Sequence, residues 1–120
     1  MKKILIVEDQ EDIREVIRIT LELEDFELHE AADGQEGLRM ASQIRPDLVL
    51  SDVMMPGLDG LQMCQRIKAD PGLRRTKVVL LSARGQPEDR KAGAAAGADA
   101  YMAKPYGPLD LLATVKRLIS

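Results

Sequence analysis

Short apolar runs and longer, periodically patterned stretches alternate along the chain. The runs over residues 4–7, 48–50 and 78–81 consist of Val, Ile and Leu with no polar residue between them, and residues 26–31 and 100–103 form weaker versions. A run apolar on both faces is what a buried parallel strand needs, because helices cover both sides of such a sheet. The pattern predicts five strands. In the second, Phe26, Leu28 and Glu30 fall on one face and Glu27 and His29 on the other, so this half-polar strand suits a sheet edge.

Between the runs the spacing turns helical. Ile13, Val16, Ile17, Thr20 and Leu21 follow the i, i+3, i+4, i+7, i+8 pattern, and Leu61, Cys64 and Ile67 repeat it. Leu109, Leu112, Ala113 and Ile119 supply the apolar face of a last helix entered through Pro108. Asp33 is placed to cap a helix containing Leu38, Ala41 and Ile44, and Pro87 opens a fourth. That fourth helix is almost all Ala, Gly and charge, with an interior glycine, so it is expected to be the least firmly packed. Strand and helix thus alternate five times, which implies an α/β fold with right-handed crossovers: a (βα)5 flavodoxin-like, doubly wound parallel sheet of strand order 2-1-3-4-5.

Composition narrows the function classes. The 120 residues suit one domain, expected over 1–120, with no linker or repeat. A net charge of -3 gives no field for nucleic acid, and the one basic cluster, Arg74, Arg75 and Lys77, is short. The lone Cys64 has no internal disulfide partner. No run approaches the ~20 apolar residues of a membrane span, and the first apolar run stops at Glu8, too short for a signal peptide. A cytoplasmic protein that binds neither membrane nor nucleic acid directly is expected.

The polar residues that break the apolar logic fall at successive strand ends, where ligands bind in open α/β sheets. Glu8 and Asp9 follow the first run, Asp52 the third, Ser82 the fourth and Lys104 the fifth. Each has a plain alternative: Glu8 and Asp9 as helix-start acids, Asp52 and Lys104 as loop residues, Ser82 as a turn hydroxyl. Their joint placement argues otherwise. Carboxylates this close repel one another unless a cation neutralises them, and hard oxygen ligands suit Mg²⁺. A carboxylate nucleophile beside a metal, an ammonium and a hydroxyl makes a phosphoryl-transfer site.

The strings Ile4-Leu5-Ile6-Val7-Glu8-Asp9 and Asp52-Val53-Met54-Met55-Pro56-Gly57-Leu58-Asp59-Gly60, together with Lys104-Pro105, closely resemble the signature of bacterial response-regulator receiver domains, over the whole chain and in the right order. The resemblance implies Asp52 as phosphoacceptor. It implies a Mg²⁺ site of Asp9, Asp52, Glu8 through metal-bound water, and the Met54 backbone carbonyl. Ser82 and Lys104 would bond the phosphoryl group, Ala83 would leave a path to it, and Ser82 with Tyr101 would form the switch. Pro105 would follow a cis peptide bond. Met54 and Arg84, at the positions that tune dephosphorylation, cannot act as bases, which implies a long-lived phosphoryl group. Glu8-Asp9 in place of Asp-Asp and Tyr106 in place of the frequent Phe are small departures.

The resemblance further implies a switch domain of two-component signalling rather than an enzyme, catalysing only its own phosphorylation and dephosphorylation. Its donor would be a sensor histidine kinase or a histidine phosphotransfer protein. Phosphorylation would draw Ser82 toward Asp52, turn Tyr101 inward and reshape helix 4, strand 5 and helix 5 to control an output partner or domain, with a phosphorylation-dependent homodimer left open. The alternative is a Mg²⁺-dependent aspartyl-phosphate phosphatase of haloacid-dehalogenase type, whose second acid would fall at Met54. A nucleotide or flavin module would need a Gly-rich phosphate loop where Glu8-Asp9-Gln10-Glu11-Asp12 stands. A pseudo-receiver used only for docking would bind no Mg²⁺.

Overall fold

The computed structural model describes residues 1–119. Its elements run β1 (Lys2–Val7), α1 (Glu11–Leu21), β2 (Phe26–Ala31), α2 (Gly34–Ile44), β3 (Leu48–Asp52), α3 (Gly60–Ala69), a 3-10 turn (Pro71–Leu73), β4 (Lys77–Ser82), α4 (Pro87–Ala95), β5 (Ala100–Ala103) and α5 (Pro108–Ile119). All five strands are parallel, in the order β2-β1-β3-β4-β5. The predicted fold class and the edge position of β2 are both as expected.

The all-apolar runs form the centre because both of their faces are covered. Leu5, Val7, Val49, Val78 and Leu80 pack with Ala41 of α2 and Met63, Cys64 and Ile67 of α3. On the opposite side Ile4, Ile6, Leu48, Leu50, Val79 and Leu81 pack with Ile17 and Leu21 of α1 and Leu111, Val115 and Ile119 of α5. Alternate residues of each strand thus feed alternate layers. Asp33 caps α2 by accepting from the Glu36 N–H, and Asp59 with Gln62 forms a capping box at α3. In α4 only Gly93 is buried, in keeping with its expected light packing.

In two helices the apolar spacing also picks out residues that the fold leaves in solvent. In α5 Leu109 is 75% exposed and Ala113 is also exposed, while Leu111 and Val115 are buried. The segment Pro-Leu-Asp-Leu-Leu-Ala offers overlapping apolar registers, and the loop leading in from β5 selects the one that faces the sheet. In α1 Ile17, Thr20 and Leu21 are buried and Ile13 packs on the same core layer as expected, and of the predicted face only Val16, 62% exposed, lies in solvent.

Gly60 marks the tightest join between fold and site. A Cβ there would stand 2.3 Å from the Asp52 carbonyl oxygen, a backbone atom that cannot swing aside. Gly60→Ala is therefore expected to lower stability by about 1–3 kcal/mol, the usual cost of overpacking, seen as a lower urea midpoint with an unchanged slope.

Candidate functional site

The sheet order brings β1 beside β3, so the two acidic strand ends meet. Ligand oxygens of Glu8, Asp9 and Asp52 all lie within 4.8 Å of one another. Glu8 is buried, and one of its oxygens, Oε2, has no hydrogen-bond partner; the other accepts from the Gln10 N–H at 3.1 Å. Desolvation by burial, helped by the Asp52 charge and the neighbouring Asp9 carboxyl, pushes the Glu8 carboxyl up to about 7 against the pull of the Gln10 N–H and Lys104. Burial raises Asp52 as well, with Asp9 adding to it and Lys104 and the Met54 N–H opposing.

An unpartnered buried carboxylate oxygen and crowded hard-oxygen donors are what a divalent cation would relieve, so these residues fit Mg²⁺. Lys104 completes the charge set: its Nζ stands 3.6 Å from Asp52 Oδ1. Ser82 is buried at the end of β4, one residue beyond Leu81, which pairs with Asp52. Its carbonyl accepts from the Lys104 N–H at 2.7 Å and its hydroxyl oxygen from the Arg84 N–H at 3.0 Å. The Lys104-Pro105 bond is cis. The side chains of Met54 and Arg84 are exposed, and so is Ala83.

Tyr101 lies away from this crevice, on the α4 side of β5. Its ring packs against the α2–α3 core layer, and its hydroxyl donates to the Arg84 carbonyl at 2.6 Å. The ring is thus already turned in, where the sequence reading has it turning inward on phosphorylation.

Two residues near the crevice escape sequence reasoning. Arg14 donates through Nη1 to the Glu8 carbonyl at 2.9 Å and through Nε to Glu30, fixing the turn that presents the acidic pair. An arginine on the first turns of a helix beside an edge-strand glutamate was the available signal. Tyr106 is half-buried, and burial together with the charges of Glu8 and Asp52 raises its phenol pKa. Its closeness to the carboxylates shows only in three dimensions.

Comparison with known proteins covers nearly the whole chain. The family profile described as the response regulator receiver domain matches residues 4–116. The DNA-binding dual master transcriptional regulator RpaA of Synechocystis sp. is 37% identical over 99% of this chain and 49% of its own length. The phosphate regulon transcriptional regulatory protein PhoB of Rhizobium meliloti is 36% identical over 99% of this chain and 52% of its own length. The chain therefore spans about half the length of these regulators. Among solved structures, the Vibrio cholerae chemotaxis protein CheY4 superposes with a TM-score of 0.92 at 34% identity, over 98% of both chains. The signal receiver domain of a Syntrophus aciditrophicus signal transduction histidine kinase gives 0.92 at 37% identity, over 99% of this chain and 90% of that one.

Proposed function

The chain belongs to the response regulator receiver family, and on that premise we propose that Asp52 takes a phosphoryl group from a phosphohistidine on a sensor histidine kinase or a histidine phosphotransfer protein. The observation that carries this reading is the Asp52 carboxylate set between Glu8 and Asp9, within 4.8 Å, and Lys104 at 3.6 Å. An Asp52 oxygen attacks phosphorus in line, the new O–P bond forms as the donor N–P bond breaks, and the imidazole nitrogen leaves with the electron pair. Lys104 offsets charge on the phosphoryl oxygens, and the Ser82 hydroxyl is one residue from alignment with Asp52 on the neighbouring strand. Mg²⁺ held by Asp9, Asp52, the Met54 carbonyl and, through water, Glu8 would neutralise the converging negative charge.

Nothing favours the haloacid-dehalogenase alternative. Its second acid would stand where the exposed side chain of Met54 lies, which cannot move a proton. Output runs from Ser82 and Tyr101 to the surface of α4, β5 and α5, where a partner or an attached domain reads it. Among the described residues no helix is long and apolar enough to cross a membrane, which is compatible with work in the cytoplasm.

Incubation with acetyl phosphate and Mg²⁺, followed by intact-mass analysis, tests the reading; a protein that gains no phosphoryl group contradicts it. The metal site has its own check. At a tenfold excess over its Kd, Mg²⁺ is expected to stabilise the fold by about 1.4 kcal/mol and raise Tm by roughly 4–8 °C. Asp9→Asn should blunt that rise, and a wild-type Tm indifferent to millimolar Mg²⁺ would remove the site.

A further inference from the structure

The loop between β3 and α3, residues 53–59, is held at its root and along one side by glycines. At the root the Gly60 N–H donates to the Val53 carbonyl at 3.0 Å, and Gly60 itself lies against the Asp52 carbonyl. Along the side, a Cβ on Gly34, the first residue of α2, would stand 2.3 Å from the Leu58 carbonyl oxygen and 3.1 Å from the Leu58 Cβ. Within the loop Val53, Met55 and Leu58 are buried in the core layer shared with α2 and α3, while Met54, Pro56 and Gly57 are exposed. Pro56 and Gly57 border an open cleft of about 440 Å³ whose other wall includes Asp9, Ala32 and Asp33. The backbone contact at Leu58 is thus the last point at which α2 supports the loop before its tip overhangs that cleft.

We propose that Gly34 is a positioning residue for the metal site: its missing Cβ lets the Leu58 backbone seat on the first turn of α2, and that seat fixes where the loop holds the Met54 carbonyl. This deepens the receiver reading above and rests on it for Mg²⁺ and for Met54 as a ligand. The link along the chain is short. Between Met54 and Leu58 the buried Met55 and the turn at Gly57, with φ 73°, leave little slack, so a displaced Leu58 carries the Met54 carbonyl with it. A Cβ pressed on a backbone carbonyl is not relieved by turning a side chain, so only a shift of loop or helix makes room. Ala is also a better helix former than Gly, so a loss in Gly34→Ala comes from the seat and not from helix propensity.

The test is a Mg²⁺ titration of chelator-stripped protein, followed through its amide NMR shifts. Gly34→Ala is expected to raise the Kd for Mg²⁺ roughly ten-fold, the lower end of the cost of losing a group that orients a metal ligand. Leu58→Ala loosens the same seat without adding an atom, so it should weaken Mg²⁺ as well, and it carries the test if Gly34→Ala does not fold. Combined, the two changes should cost less than the sum of their separate effects, because both act on one contact. Ala41→Gly, at a buried position about two turns further along the same helix, weakens α2 and should leave the Mg²⁺ Kd at the wild-type value. The Mg²⁺ concentration that gives half-maximal phosphoryl uptake from acetyl phosphate should rise in Gly34→Ala by the same factor as the Kd. The proposal is overturned if Gly34→Ala or Leu58→Ala, once folded, keeps the wild-type Kd. It is equally overturned if Ala41→Gly raises the Kd as much as they do, which would make the loss a matter of general stability. Those results leave the receiver reading standing, whereas a wild type whose amides do not respond to Mg²⁺ would remove the metal site of that reading and this inference with it.

Discussion

Asp52→Asn protein is expected to keep its unmodified mass after incubation with acetyl phosphate and Mg²⁺, while wild type gains one phosphoryl group. The amide has nearly the shape of the carboxylate but lacks the anionic oxygen that attacks phosphorus. The fold should survive, since burial already disfavours charge at Asp52 and the substitution relieves crowding among the three acids. Circular dichroism of the variant supplies the control. Equal labelling of the Asn protein would move the phosphoacceptor elsewhere, with Asp9 the first place to look.

The second large effect is on stability against pH in a metal-free, chelator-containing buffer. The Glu8 carboxyl stands at about 7 in the folded protein against an ordinary value of 4.5, so between these pH values the folded chain binds a proton that the unfolded chain does not. Glu8 thus weighs least against the fold below about 4.5, and its cost grows as pH rises through 7. A shift of this size corresponds to roughly 3 kcal/mol lost across the window. Urea unfolding at a series of pH values should show the decline, and Glu8→Gln should flatten most of it, with a smaller slope left from Asp52. Mg²⁺ should restore stability at the upper end, because it favours the ionised carboxylates. A wild-type profile that is flat, or one unchanged by Glu8→Gln, would contradict the buried, unrelieved carboxyl.

Much of the site is legible in the chain because a doubly wound sheet places its chemistry at strand ends. Once five apolar runs are recognised, Glu8, Asp9, Asp52, Ser82 and Lys104 each fall within two residues of the end of one, and parallel strands put those positions on one edge of the sheet. The half-polar alternation of β2 likewise marks an edge, since only an edge strand tolerates Glu27 and His29 on an uncovered face. Helix phase was harder. Leu109 and Leu111 are equally apolar as letters, and only the path of the chain out of β5 puts Leu111 on the sheet and Leu109 in solvent.

Gly93 shows the limit most clearly. Along the chain it is a residue that weakens a helix, whereas in the fold it is the surface on which Tyr101 rests, with Arg90 above and the Arg84 carbonyl at the hydroxyl. The strand pattern, the edge, the parallel order and the identity of the acidic crevice were determined by the sequence itself, because each follows from local periodicity and from the rule that binds strand ends together. Helix rotation, the orphaned oxygen of Glu8, the hold of Arg14 on the Glu8 carbonyl and the seat of Tyr101 were decided only by tertiary structure. They depend on which side chains meet across elements far apart in the chain, and a one-dimensional pattern carries no information about that approach.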